Sequence, residues 1–164
     1  MWARATMVLP VLLAAVSTAE AEAGLPPECA RLIPAPTERP ILVAVLSPRM
    51  VYSVLEWPRL RAVAEQEGFD IVAWWAPGIP YQESEAAAIK AGWDIKERTS
   101  VGITPAECRS WVGWPNHFPF SRVMAWGRAH EWPIWGVMPD GDWRTSLTFR
   151  AGARRMQREM TGKK

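Results

Sequence analysis

Pro40-Ile-Leu-Val-Ala-Val-Leu-Ser-Pro-Arg-Met50, read with the residues that follow to Trp75, decides the fold. Ile41 to Leu46 is wholly apolar, β-branched at alternate positions, and stops at Ser47-Pro48. A helical segment then runs to Gly68, and a second apolar run spans Phe69 to Ala76. Strand, helix and strand at this spacing form a βαβ unit, whose two strands are parallel and buried on both faces. Ser47 is expected to cap the helix, with Pro48 in its first turn, where a missing N–H costs nothing. Val51, Val54, Leu55, Leu60, Val63 and Ala64 mark one apolar face. Pro58 removes the hydrogen bond to the carbonyl of Val54 and should kink or split the helix. Gly68 stops it, and Phe69 supplies the apolar contact that follows a left-handed cap.

The residues before this unit speak of export. Arg4, an apolar run from Ala5 to Val16, and small residues at Ala19, Ala21 and Ala23 have the pattern of a secretory signal peptide, residues 1–23. The run is too short for a permanent span, which needs about 20 residues. The competing reading is an uncleaved anchor. Cleavage after Ala23 removes Arg4, Glu20 and Glu22 and leaves 18 basic and 15 acidic residues, too mild a balance for a nucleic-acid partner. The charge is uneven, since seven basic residues from Arg144 onward face the single acidic Glu159. Residues 24–39 are rich in proline and extended.

Two cysteines remain, Cys29 and Cys108. In an oxidising compartment they read as one disulfide, or else as two independent thiols. The 11 tryptophans are too many for the surface alone, so they should fill the core and leave some exposed. Glu83 to Ala91 reads as a short helix stopped by Gly92, and 93–102 as a connector or a short edge strand. Thr104-Pro-Ala-Glu107 has the form of a capping box. Trp111 to Phe120 should be irregular, and Ser121 to His130 helical. Trp132 to Met138 and Asp142 to Thr148 flank Pro139-Asp-Gly141, which predicts a hairpin. Phe149, Ala153, Met156 and Met160, spaced by four, three and four, put an apolar stripe on an Arg-rich terminal helix.

This order of elements resembles the thioredoxin-like fold over about Pro40 to Met160. The carrying features are the βαβ unit with its mid-helix Pro58, and Trp132-Pro133 before a strand, similar to that fold's cis-proline loop. The resemblance implies an α/β domain over 40–162, with a helical insertion at about 77–131 between the second strand and the hairpin. It also implies that the redox position, Cys-x-x-Cys at the helix N-terminus, is occupied here by Ser47, Pro48, Arg49 and Met50. Neither serine nor methionine can supply the thiolate of disulfide exchange. No cysteine lies between 30 and 107, so a shift of register does not restore one.

Ser47 lacks a positioned base for nucleophilic catalysis, and His117 and His130 lack partners for a metal. No catalytic residue, metal or cofactor is therefore expected. The resemblance implies a redox-inactive binding or assembly module outside the cytoplasm. Similar secreted accessory proteins belong to conjugative and type IV secretion elements, so an envelope protein is the expected partner. The alternatives are a thiol-dependent enzyme using Cys108 with Cys29, and a glycan- or peptide-binding module whose surface holds Trp111, Trp114, Phe118 and Phe120.

Overall fold

Strand β1 (Ile41–Leu46) and strand β2 (Asp70–Trp75) run parallel in register, Ile41 opposite Asp70 and Leu46 opposite Trp75, as the apolar runs require. Between them lies helix α1 (Val51–Gln66). The structure, a computed structural model, describes Cys29 and residues 31–33, 38–108, 118–125, 128–130 and 132–162. The expected signal peptide, most of the proline-rich segment, and Trp111, Trp114 and His117 lie outside the described residues.

α1 ends as its sequence dictates. Gly68 takes a φ of +78°, and the Phe69 amide donates 2.9 Å to the carbonyl of Ala64, a bond reached only through a left-handed residue. Pro58 sits inside the helix without splitting it. The Val54 carbonyl that Pro58 leaves without a helical donor receives instead the indole N–H of Trp93, at 2.8 Å. Trp93 in turn stacks on Trp75, with ring centroids 5.4 Å apart, and leans against Trp57 at 6.4 Å. Val51 and Leu55, expected on the buried face, are exposed; Trp57, Ser53 and Glu56 are buried instead.

The chain continues through helix α2 (Tyr81–Lys90), helix α3 (Ile95–Thr99) and strand β3 (Val101–Ile103), which adds to β2 in parallel. Asp94 caps α3 in a full capping box with Glu97. This Asp-x-x-Glu signature falls inside the stretch expected to be a connector or edge strand. The Thr104 hydroxyl does not cap the next turn; it donates to the carbonyl of Trp75, and Ala106–Cys108 is one 3₁₀ turn.

Strand β4 (Phe120–Ala125) then lies antiparallel to β1, Phe120 opposite Val45 and Met124 opposite Ile41. It replaces the helix expected over Ser121 to His130. The strand is buried on both faces except at Arg122, so it shows none of the alternation that marks a half-exposed strand. Strands β5 (Arg128–Ala129) and β6 (Ile134–Trp135) share the outer edge of β4. Among the described residues, the expected helical insertion over 77–131 is helical in α2, α3 and the one 3₁₀ turn, and it also contains β3, β4 and β5. The sheet order is β3-β2-β1-β4-β5, with β6 also on β4.

The expected hairpin around Pro139-Asp-Gly141 is absent. Those residues open helix α4 (Asp140–Met160), with Asp140 and Asp142 in the first turn, where the helix dipole favours carboxylates. Trp143 and Leu147, four apart, bury completely, and this helical spacing prevails over the turn signal. A polar clamp around the buried Glu56 joins α4 to α1. Arg59 bonds both carboxylate oxygens of Glu56 along with Asp140 and the Met138 carbonyl, while the Trp143 indole donates to Glu56 at 2.5 Å. Glu56 is thereby buried with its charge compensated, and its hydrogen bond holds the Arg59 guanidinium above its ordinary pKa.

The two faces of β1 serve two cores. Leu42, Ala44 and Leu46 pack with α1, Ala88 of α2 and Trp143 and Leu147 of α4. Ile41, Val43 and Val45 face the other way, toward Trp74, Phe120, Met124, Ile33 and the half-cystines Cys29 and Cys108.

Candidate functional site

The carboxyl end of β1 is where the fold gathers its special geometry. Ser47 does not cap the helix. Its carbonyl accepts the Met50 amide at 3.1 Å, its hydroxyl accepts the Arg49 amide, and its own amide donates to the Ser53 hydroxyl at 2.9 Å. Ser47-Pro48-Arg49-Met50 is therefore a tight turn before the helix. The helix begins at Val51 with Met50 in the N-cap position. The N-terminal four positions are Met50-Val51-Tyr52-Ser53, three residues later than the sequence suggests. Met50 is partly exposed there, and Ser53 is fully buried. Without a carboxylate or hydroxyl cap, the helix start leaves its amides to the turn and to solvent.

Beside this turn lies the cis peptide. It is Phe118–Pro119, the only cis bond among the described residues, so Trp132–Pro133 is not the cis-proline that the sequence suggests. The two X-Pro steps look alike in sequence. Only pairing separates them: Pro119 directly precedes Phe120, which faces Val45 near the end of β1. Gly136 closes the group, donating its amide to the Pro119 carbonyl at 2.8 Å from a left-handed conformation, φ +76°. The Trp135 ring meets that of Phe120 edge-on, at 4.7 Å.

Arg49 reaches from the turn to α2 and makes a bidentate pair with Glu83, at 2.8 and 3.1 Å. That hydrogen bond raises the Arg49 pKa and lowers the Glu83 carboxyl below its ordinary 4.5. The sign follows. The pair's contribution is complete above the ordinary carboxylate pKa, and it is lost as pH falls through the depressed value. Both side chains are exposed, so the pair orients the turn more than it stabilises the domain.

Phe118 and Phe120 do not form the expected aromatic surface. Phe120 is 1% exposed and Phe118 packs on the second core, because both belong to the approach and first residue of an interior strand. Trp111 and Trp114 lie outside the described residues. The exposed large side chains at this pole are Met50, Val51, Tyr52 and Leu55 of α1, Tyr81 of α2, and Trp135. Sequence periodicity misleads here because α1 turns a second apolar line outward, Val51 and Leu55 one turn apart.

Cys29 and Cys108 form the disulfide, with Cα atoms 5.5 Å apart and both residues fully buried. They lie on the sheet face opposite α1 and leave no free thiol. Among the described residues, no cluster of histidine, cysteine or carboxylate has the form of a metal site, and no helix is long and apolar enough to cross a membrane.

No protein-family model matches the chain, and no curated protein matches it. Solved structures do. A thiol:disulfide interchange protein of the thioredoxin family from Chlorobium tepidum aligns over 70% of this chain and 81% of its own, with a TM-score of 0.51 and 17% identity. The dsbF protein of MTB aligns over 69% and 81%, with a TM-score of 0.52 and 14% identity. The exposed lipoprotein thioredoxin of Streptococcus pneumoniae aligns over 68% and 84%, with a TM-score of 0.51 and 13% identity. Identities this low carry the architecture and nothing finer. With β1-α1-β2 parallel, β4 antiparallel beside β1 and a cis-proline next to the helix N-terminus, the chain has the thioredoxin-like fold.

Proposed function

We propose that this chain is an extracytoplasmic, non-catalytic thioredoxin-like module that binds a protein partner at the pole where α1 begins. The carrying observation is chemical. The helix N-terminus that would lower the pKa of a thiol holds Met50 and Ser53, and the chain's two cysteines are joined to each other beneath the other face. Thiol-disulfide exchange needs a thiolate at an accessible position. The buried disulfide and the export-like residues 1–23 support an oxidising compartment.

Exposed apolar side chains around the turn support protein binding. Val51, Tyr52 and Leu55 form a contiguous line on the first two turns of α1, and aromatic and aliphatic anchors of this kind carry interface energy. The partner is an envelope protein. The resemblance to secreted accessory proteins of conjugative and type IV secretion elements supports an assembly role rather than turnover.

Two measurements test this. The protein should not accelerate the reduction of insulin by dithiothreitol above its uncatalysed rate, and an acceleration abolished by Cys108→Ser would overturn the reading. Photo-crosslinking from Tyr52 in an envelope extract should trap a discrete protein, and Leu55→Ser should weaken that capture by about tenfold or more, the size of a lost interface anchor. Capture of a defined glycan instead would refute it.

A further inference from the structure

The second core is closed differently from the first. Helices α1, α2 and α4 all pack on the face that holds Leu42, Ala44 and Leu46. On the other face Val43, Val45, Trp74, Phe120 and Met124 are each at most 5% exposed, yet no residue of the four helices joins them. Among the described residues, their cover is Cys29 and Ile33 before β1, Cys108 after β3, and the half-buried Ile79 and Phe118. One side of this cover is tied to the sheet by hydrogen bonds, and the other is not.

Cys108 is held by its neighbours. The Thr104 amide and hydroxyl both donate to the Trp75 carbonyl at the end of β2, and the Cys108 amide closes the next turn on the Pro105 carbonyl at 3.0 Å. The Cys29 segment has no comparable tie. Among the described residues its hydrogen bond is internal, from the Leu32 amide to the Cys29 carbonyl at 3.0 Å. The chain is next fixed at the start of β2 through Arg39, which donates to the Gly68 and Phe69 carbonyls and pairs with Asp70. Of residues 31–33 only Ile33 is buried. Ordering every residue of such a segment costs entropy that one buried aliphatic side chain does not offset. Closing this face also takes the Arg122 guanidinium, opposite Val43 and over the Phe120 ring, partly out of water, and that burial lowers its pKa. The sulfur–sulfur bond is what holds the cover shut.

We propose that Cys29 and Cys108 are a redox latch on the second core. As two thiols they leave the segment from Cys29 to Ile33 free to lift, which exposes Val43, Val45, Phe120 and Met124 to water. As a disulfide they shut it. The oxidant is another disulfide, carried by a protein or a small molecule. The thiolate of one cysteine attacks it, forming a mixed disulfide and releasing one thiolate, and the thiolate of the other cysteine then displaces the remaining sulfur. One bond of the oxidant breaks and the Cys29–Cys108 bond forms. Two electrons pass to the oxidant, and its two released sulfurs take up the two protons that the cysteines give up. Once shut, both half-cystines are fully buried, so a reducing thiolate reaches them only through an opening of the cover. The latch closes in an oxidising compartment and stays closed. The helix face of the sheet, with the α1 pole, keeps its structure in either state.

The test uses the full chain. In a Cys108→Ala variant Cys29 is a lone thiol, and iodoacetamide should alkylate it within about tenfold of its rate in the same variant unfolded in urea, as befits a segment that opens freely. Hydrogen exchange in α1 and α4 should stay slow in that variant, since the first core persists. In the oxidised parent, dithiothreitol should reduce the bond at least about 100-fold more slowly than in urea. Ile33→Ser, with the bond intact, should speed that reduction several-fold and leave exchange in α1 and α4 unchanged. A Cys29 thiol protected beyond about tenfold in the Cys108→Ala variant would mean that the cover stays shut without the bond. Loss of exchange protection throughout α1 and α4 would make the bond a staple of the whole domain. Either result would overturn the proposal, as would an Ile33→Ser chain reduced no faster than the parent.

Discussion

Met50 and Ser53 stand at the N-cap and in the first turn of α1, one partly exposed and one buried. Installing cysteine at both is therefore a direct test of the scaffold. In a Met50→Cys, Ser53→Cys variant the free amides and dipole of α1 should draw the first of the two new thiols below the usual value of about 8.5. Alkylation rate against pH reads this directly, and the variant should accelerate insulin reduction by dithiothreitol relative to the parent. An alkylation midpoint at or above the ordinary value would show that the turn no longer favours a thiolate. The lack of thiols at this site is legible, because no cysteine lies between 30 and 107. The register is not. Ser47-Pro48 has every local mark of a helix start, and only the hydrogen bonds from the Met50 amide to the Ser47 carbonyl and from the Ser47 amide to the Ser53 hydroxyl reveal a turn preceding it.

Pro58 and Trp93 act as one device within α1. The proline frees the Val54 carbonyl, and the indole N–H satisfies it. Trp93→Phe should cost about 1–3 kcal/mol from the orphaned carbonyl, with further loss of packing against Trp57 and Trp75. In a Pro58→Ala background the helix regains its own donor, so the same substitution should cost less. A double-mutant cycle by urea denaturation should return a coupling of about 0.5–3 kcal/mol. Additive costs would show that the indole bond is incidental. Elements with a single strong pattern, β1, α1, β2 and α2, can be read from sequence. β4 cannot, because a strand buried on both faces has no alternation, and its Val123-Met124 pair suits a helix as well. The start of α4 misleads because Pro139-Asp-Gly141 is a good hairpin turn and an equally good helix entry. Only burial of Trp143 and Leu147 against α1 and the sheet decides between them.

At the scale of the whole molecule, the Cys29–Cys108 bond spans 79 residues and ties the segment before β1 to the turn after β3. Cys29→Ser with Cys108→Ser should lower stability by about 2–4 kcal/mol, seen as an earlier urea midpoint. The behaviour with insulin should stay unchanged, since the bond lies on the sheet face opposite α1. The pairing follows from compartment and count. Its place in the fold does not, because nothing in the sequence shows that Cys108 follows a third parallel strand. The choice of Trp132-Pro133 as the cis-proline fails for the same reason: which proline neighbours β1 depends on which strand pairs with it.

The sheet's edges restrict how such a module can bind. At one side β3 is only three residues long and runs straight into Thr104-Pro105. At the other, β5 covers Met124 and Ala125, β6 covers Phe120 and Ser121, and the His130 amide bonds the Val123 carbonyl between them. No long row of open amides and carbonyls remains on β4 to template an incoming strand. Among the described residues the sheet thus offers an incoming backbone only short edges, so on the proposed reading recognition rests mainly on side chains. Binding should therefore be selective for surface shape and indifferent to whether the partner offers an extended peptide.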